Sequence, residues 1–336
     1  MVSYYLNEVS FLNNKLSTRA LTEGALMAGL ATIFALLGMV PIIGAFTILI
    51  SGIPISIVTA RHGSFSGGLS ALLATLLIAL LLGPFSALSY GLENMLLGFV
   101  IGYMLNQRKN GMKILQASVL TAGVAALLLT IVSFAIMGFT PDTISAYYAQ
   151  METEMMKMYE TSGMLDALLA QDGVNATELM AMLQGMIATV VKISPATVTI
   201  MGGFTGAITF WLTMLILKRL KVRIPRTTQI TQWKLPFGAI WPIIVIWTVW
   251  LMGSRIPFAW VNVLALNGIV ICAVLLFLNG LTAAIQVFRF KEMSTIMKLL
   301  TVIMLVMCFT AVLIGLIIFG IADLLFDFRN KKVDNR

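Results

Sequence analysis

Few residues in this sequence could do chemistry. Glu93, in SYGLENMLLG, lies near the middle of an apolar segment. A carboxylate at mid-membrane depth is costly, so it must face a cavity, carry a proton or be paired. Tyr90 and Asn94 are its polar neighbours. The three are candidate substrate contacts; the plainer alternative is a structural role. No other ionisable residue lies mid-span before Asp323, which argues against a relay of several carboxylates. Glu23 sits near the start of the first apolar run, where hydration or a neighbouring base would satisfy it. IPISIVTARHG carries Arg61 and His62, the sole histidine, at a helix end suited to a topological or capping role. Gly63, Gly67 and Gly68 follow and permit a tight turn or close backbone approach.

Catalytic and metal motifs are absent. There is no phosphate-binding Gly-rich loop with Lys-Ser/Thr, no HExxH and no GxSxG. Cys272 and Cys308 lie inside apolar runs without metal-ligand spacing. Met151, Met155, Met156, Met158, Met164, Met180, Met182 and Met186 could suggest soft-metal capture. Methionine is frequent throughout, at 22 residues, so a hydrophobic face is the better account. The expectation is a non-enzyme with no metal and no cofactor. Any transport energy would come from a partner ATPase or an ion gradient.

Composition defines the setting for these residues. Of 336 residues, 59% are hydrophobic and 11% charged, against about 25% charged in soluble domains. The excess runs the whole length, so the partner is the lipid bilayer and the fold is an all-α polytopic bundle of about 8–10 spans. The net charge of +8 is no nucleic-acid signal, because the basic residues cluster between apolar segments. Candidate spans fall near 20–39, 43–60, 67–83, 86–106, 114–138, 195–217, 236–252, 257–288 and 296–326. Pro54 lies inside the second, where a kink or break is expected. Lys15, Arg19, Arg61, Arg108, Lys109, Lys113, Lys218, Arg219, Lys221, Arg223, Arg226 and Lys234 share one side if the N-terminus is cytoplasmic. The loop 139–194 then lies outside. It is acidic, with Asp142, Glu152, Glu154, Glu160, Asp166, Asp172 and Glu178, and reads as amphipathic helices over 143–171 and 176–192. A cleaved signal peptide is not expected.

The C-terminal third leaves alternatives open. Nine spans would put Arg329, Lys331, Lys332 and Arg336 outside, against the charge rule; eight or ten would bring them inside. Residues 257–288 would be about 48 Å long as one helix, or break near Asn267-Gly268 or Asn279-Gly280.

Two small-residue stripes could position helices. Ala20, Gly24, Ala28, Ala31, Ala35 and Gly38 fall within an arc of roughly 80° on the first helix. Such a face packs inside the bundle or docks a partner, with Ala20, Gly24, Ala28 and Ala31 as candidate docking residues. Ala87, Gly91, Asn94, Gly98 and Gly102 form the second, ending in GFVIG. Gly91, Gly98 and Gly102 are its candidate helix-packing positions.

TEGALMAGL, IPISIVTARHG, GLENMLLGFVIGYMLNQRK, FLNGLTAAIQVF and GIADLLFDFRNKK occur in that order. They resemble the successive landmarks of the YybS-type family of uncharacterised bacterial membrane proteins. The N-terminal two-thirds also resembles the substrate-binding S components of energy-coupling-factor (ECF) vitamin transporters. That resemblance implies a six-helix bundle in the bacterial cytoplasmic membrane. Its first helix would dock a transmembrane coupling protein through Ala20, Gly24 and Ala28, and the coupling protein would work with ATPases. The chain departs from the S-component pattern in about three extra C-terminal helices, a long outer insertion and the lack of residues that would name a vitamin. The expected organisation is an S-component-like bundle over 1–217 including the insertion 139–194, a basic cytoplasmic connector at 218–235, and C-terminal transmembrane helices over 236–336. The expected function is a transport-related subunit binding a small organic, vitamin-like solute, with the insertion as a lid. The alternative is a non-transporting scaffold or regulator that recruits partners through its basic loops.

Overall fold

The computed structural model describes residues 17–40, 42–138, 141–164, 176–222, 225, 233–255, 259–287, 294, 296–297, 307 and 309–331. Lys15, Asp166, Asp172, Arg223, Arg226, Cys308, Lys332 and Arg336, and the side chains of Asp142 and Met180, lie outside that description. The described chain is all-helical. Six helices are long and apolar enough to cross a membrane, and shorter apolar helices accompany them. The chain divides into two units, Met1–Ile136 with Val198–Thr228 and Met137–Thr197 with Gln229–Arg336.

In the first unit, α1 (Thr18–Leu37) starts at Ser17, whose hydroxyl accepts from the Ala20 amide at 3.2 Å. α2 (Ile43–Ile50) and α3 (Ile53–His62) are one apolar stretch interrupted at Ser51-Gly52. Pro54 is the second residue of α3, in the first turn where its missing N–H costs nothing, and the break expected near it falls just before, at Ser51-Gly52. α4 (Ser64–Leu82) turns at Gly83, whose φ of 89° suits glycine, into α5 (Pro84–Asn106). α6 (Gly111–Met137) and α9 (Ser194–Arg219, from Val198 onward) complete the unit.

The core of this unit is set by small residues. Ala28 and Ala31 pack with Ile55, Ala74 and Met95, and Ala35 packs with Ile78 and Ala87. Ala20 is 3% exposed, and Gly24 is buried with Val58 and Ser70 beside it. The α1 stripe is therefore covered by α3, α4 and α5 of the same chain. Ala20, Gly24, Ala28 and Ala31, the residues expected as a docking face, lie on this side, where close backbone approach is used within the chain. A second seam joins α3 to α5. A methyl on Gly98 would lie 3.0 Å from the Gly52 carbonyl carbon, and one on Gly102 would lie 2.5 Å from the Ser56 carbonyl oxygen. Buried hydroxyls along these seams bond back to their own helices, as Thr32 does to Ala28 O (2.9 Å) and Thr59 to Ile55 O (2.7 Å).

In the second unit, α7 (Pro141–Thr161) packs against α8 (Ala176–Lys192). These are the expected amphipathic helices; the first is described to Thr161, and residues 165–171 of its expected span lie outside the described residues. They group with the C-terminal helices, whereas the organisation expected from the sequence put them in the 1–217 bundle. Asn267 shows why. Its side chain accepts from the Ala196 amide at 2.8 Å and donates to Lys192 O at 2.9 Å, bracketing the break where α8 gives way to α9. Asn267 belongs to α11 (Ala259–Val287), which follows α10 (Ile240–Leu251) and runs unbroken through both Asn-Gly pairs. α12 (Phe309–Phe326) lies along α11, and a methyl on Gly280 would come 2.9 Å from the Gly320 nitrogen. α13 (Phe328–Lys331) follows α12 after one residue, Asp327.

Candidate functional site

Glu93 and Asn94 lie on a π turn, Gly91–Met95, inside α5. There the Leu96 amide donates to Gly91 O, five residues back, so the helix is locally widened. Such turns recur at functional sites. Glu93 is nine residues past Pro84, about 14 Å along the helix, near the middle of a roughly 30 Å hydrocarbon core. Glu93 is half-buried and has no ion-pair or hydrogen-bond partner among the described residues. Asn94 is 3% exposed and its side chain likewise makes no hydrogen bond among them. The basic residues described in this unit lie at helix ends, far from mid-membrane. Tyr90 precedes the turn, and its hydroxyl donates to Ala35 O at 3.2 Å, tying α5 to the end of α1. Of the three candidate contacts, Tyr90 thus has its hydroxyl committed, while Glu93 and Asn94 have theirs unspent. Gly91 faces Thr75 of α4, whose Cγ2 is 3.3 Å from where a Cβ would stand.

Glu23 is paired rather than merely hydrated. Arg61 Nη1 lies 2.6 Å from its Oε1, and His62 Nε2 lies 2.8 Å from its Oε2. The pair fastens the start of α1 to the end of α3.

A third polar place was not anticipated from the sequence. Asp323 on α12 is fully buried, and its Oδ2 accepts from Arg329 Nε at 3.0 Å. Arg329 also donates from Nη1 to Trp233 O (2.6 Å), and from Nη2 to Asn279 O (2.8 Å), Asn279 Oδ1 (3.1 Å) and Thr282 Oγ1 (3.1 Å). Asn279 accepts from the Leu235 amide at 3.1 Å and donates to Gly320 O at 3.0 Å. Lys234 pairs with Asp327 at 2.7 Å. Asp323 Oδ1 is buried without a partner among the described residues. The network locks α11, α12, α13 and the segment before α10 together. The pieces FLNGLT and GIADLLFDFRN stood out in the sequence, but nothing in their spacing joined them.

Residues 29–324 match the family described as "Predicted membrane protein (DUF2232)". The "Uncharacterized protein YybS" of Bacillus subtilis (strain 168) is 24% identical over 323 residues, covering 94% of this chain and 98% of that protein. No solved structure matches. The match over most of its length, with the apolar helices described above, makes this chain a multi-pass membrane protein belonging to the DUF2232 family.

Proposed function

We propose that this chain is a transport-related membrane subunit that binds a small organic solute at the Glu93–Asn94 turn. The observation that carries this reading is a mid-membrane π turn holding a carboxylate and a buried amide, both without partners among the described residues. Apolar surroundings make unspent polar groups expensive, so a site of this kind is better explained by a ligand than by packing. The reading assigns no catalysis. Energy would come from an ECF-type coupling protein with its ATPases or from an ion gradient, and docking would not use the α1 stripe. In this reading the N-terminus lies in the cytoplasm of a bacterial cell, which the distribution of basic residues supports.

Purification in mild detergent followed by mass spectrometry tests the reading. A solute should accompany the native chain and be lost from Glu93→Gln, and uptake of that solute should fall in a deletion strain. Absence of any bound solute together with unchanged uptake would sink it. A second reading, a non-transporting scaffold that recruits proteins through its basic loops, is favoured by the close-packed seams of the first unit. It predicts protein partners in the same purification and no solute.

A further inference from the structure

We infer that the Glu93–Asn94 turn takes a small organic cation, with an ammonium group set against the Glu93 carboxylate. This rests on the solute-binding reading above and adds the charge of the ligand.

The argument is one of charge balance. Glu23, Asp323 and Asp327 each have a basic side chain within 3.0 Å. Glu93 has none among the described residues, although it sits deeper in an apolar span than Glu23. Those three carboxylates thus receive counter-charges from the chain itself. An ionised Glu93 would take its counter-charge from a bound solute. An anionic solute would add repulsion, because no described cation stands nearby to offset it.

A proton alone would neutralise Glu93, but it would leave Asn94 as it is. That amide is 3% exposed and makes no hydrogen bond among the described residues. The polar atoms of that amide keep some accessible surface, so a ligand can reach and bond them. A solute carrying N–H donors on a cationic head and a polar group beside it meets both demands at once. Tyr90, one turn earlier and fixed through its hydroxyl to Ala35 O, sets an aromatic ring next to the turn, a surface that also attracts ammonium groups.

The test uses the full chain in lipid nanodiscs and N,N′-dicyclohexylcarbodiimide, an apolar reagent that modifies neutral carboxyl groups in apolar surroundings. Peptide mass spectrometry locates the adduct. Glu93 should be labelled, and ethanolammonium or ethylammonium should slow its labelling by at least about tenfold, the scale of a desolvated charge interaction. Sodium acetate at equal ionic strength should not. Glu93→Asp should keep the labelling, while Asn94→Leu should keep it and lose the protection. Labelling that neither ammonium probe slows, or no labelling of Glu93 at mildly acidic pH, overturns the inference. Co-purification of a neutral or anionic solute also overturns it but leaves the solute-binding reading standing. Absence of both a bound solute and an uptake defect removes that reading itself.

Discussion

Glu93 and Asp323 are both acids in apolar helices, and their surroundings are opposite. Asp323 is sealed in a network of Arg329, Asn279, Thr282 and two backbone segments. Glu93 stands on a widened turn with no partner among the described residues. The first arrangement offsets the desolvation of a charge with internal bonds and so serves structure. The second leaves the charge available, which suits a ligand and weakens the fold slightly. The same residue chemistry thus separates a lock from a candidate site.

The comparison can be broken by substitution, with thermal unfolding in detergent as the readout. The largest effect is expected at Arg329→Met, which strands Asp323 as a buried charge and should cost about 3–5 kcal/mol. The double change Asp323→Leu with Arg329→Met should recover a large part of that loss; equal loss in the double variant would mean the charges do not act as a pair. Gly98→Ala comes next, at about 1–3 kcal/mol, because the methyl would press on the Gly52 backbone beside the π turn. Stability unchanged by that methyl would show that α3 and α5 yield freely at the site. Thr282→Val removes one acceptor from Arg329 and one donor to Trp233 O, and should cost about 1 kcal/mol. The smallest effect is expected at Glu93→Gln, within about 0.5 kcal/mol or slightly stabilising, since no internal bond is lost. A loss on the scale of Arg329→Met would show that Glu93 is a structural charge after all.

Much of the first unit was legible in the sequence. Small residues at steps of three and four on α1 could only make a flat helix side, and Pro54 marked a break, because both effects are local. What the flat side meets was not legible, since a packing seam and a docking face need the same residues. The second unit was harder. Trp233 and Arg329 are 96 residues apart, and no spacing rule links a carbonyl to so distant a guanidinium. Asn279-Gly280 suggested a helix break, as it would in water. In an apolar setting the amide instead finds partners on other segments and the glycine admits α12, so the helix continues. The grouping of 137–197 with the C-terminal helices depends on Asn267 reaching Lys192 and Ala196, again a long-range contact.

The position of Arg329 along the chain also has a consequence for biosynthesis. Its partners Trp233 and Asn279 are made 96 and 50 residues earlier. Until the ribosome has passed 329, Asn279 and the carbonyl of Trp233 lack the group that joins them, and Asp323 emerges as a carboxylate whose guanidinium has yet to be translated. The network of the second unit can therefore close only once residue 329 has been made, and a nascent chain stalled between Asp323 and Arg329 should be a better substrate for membrane proteases than one stalled just beyond.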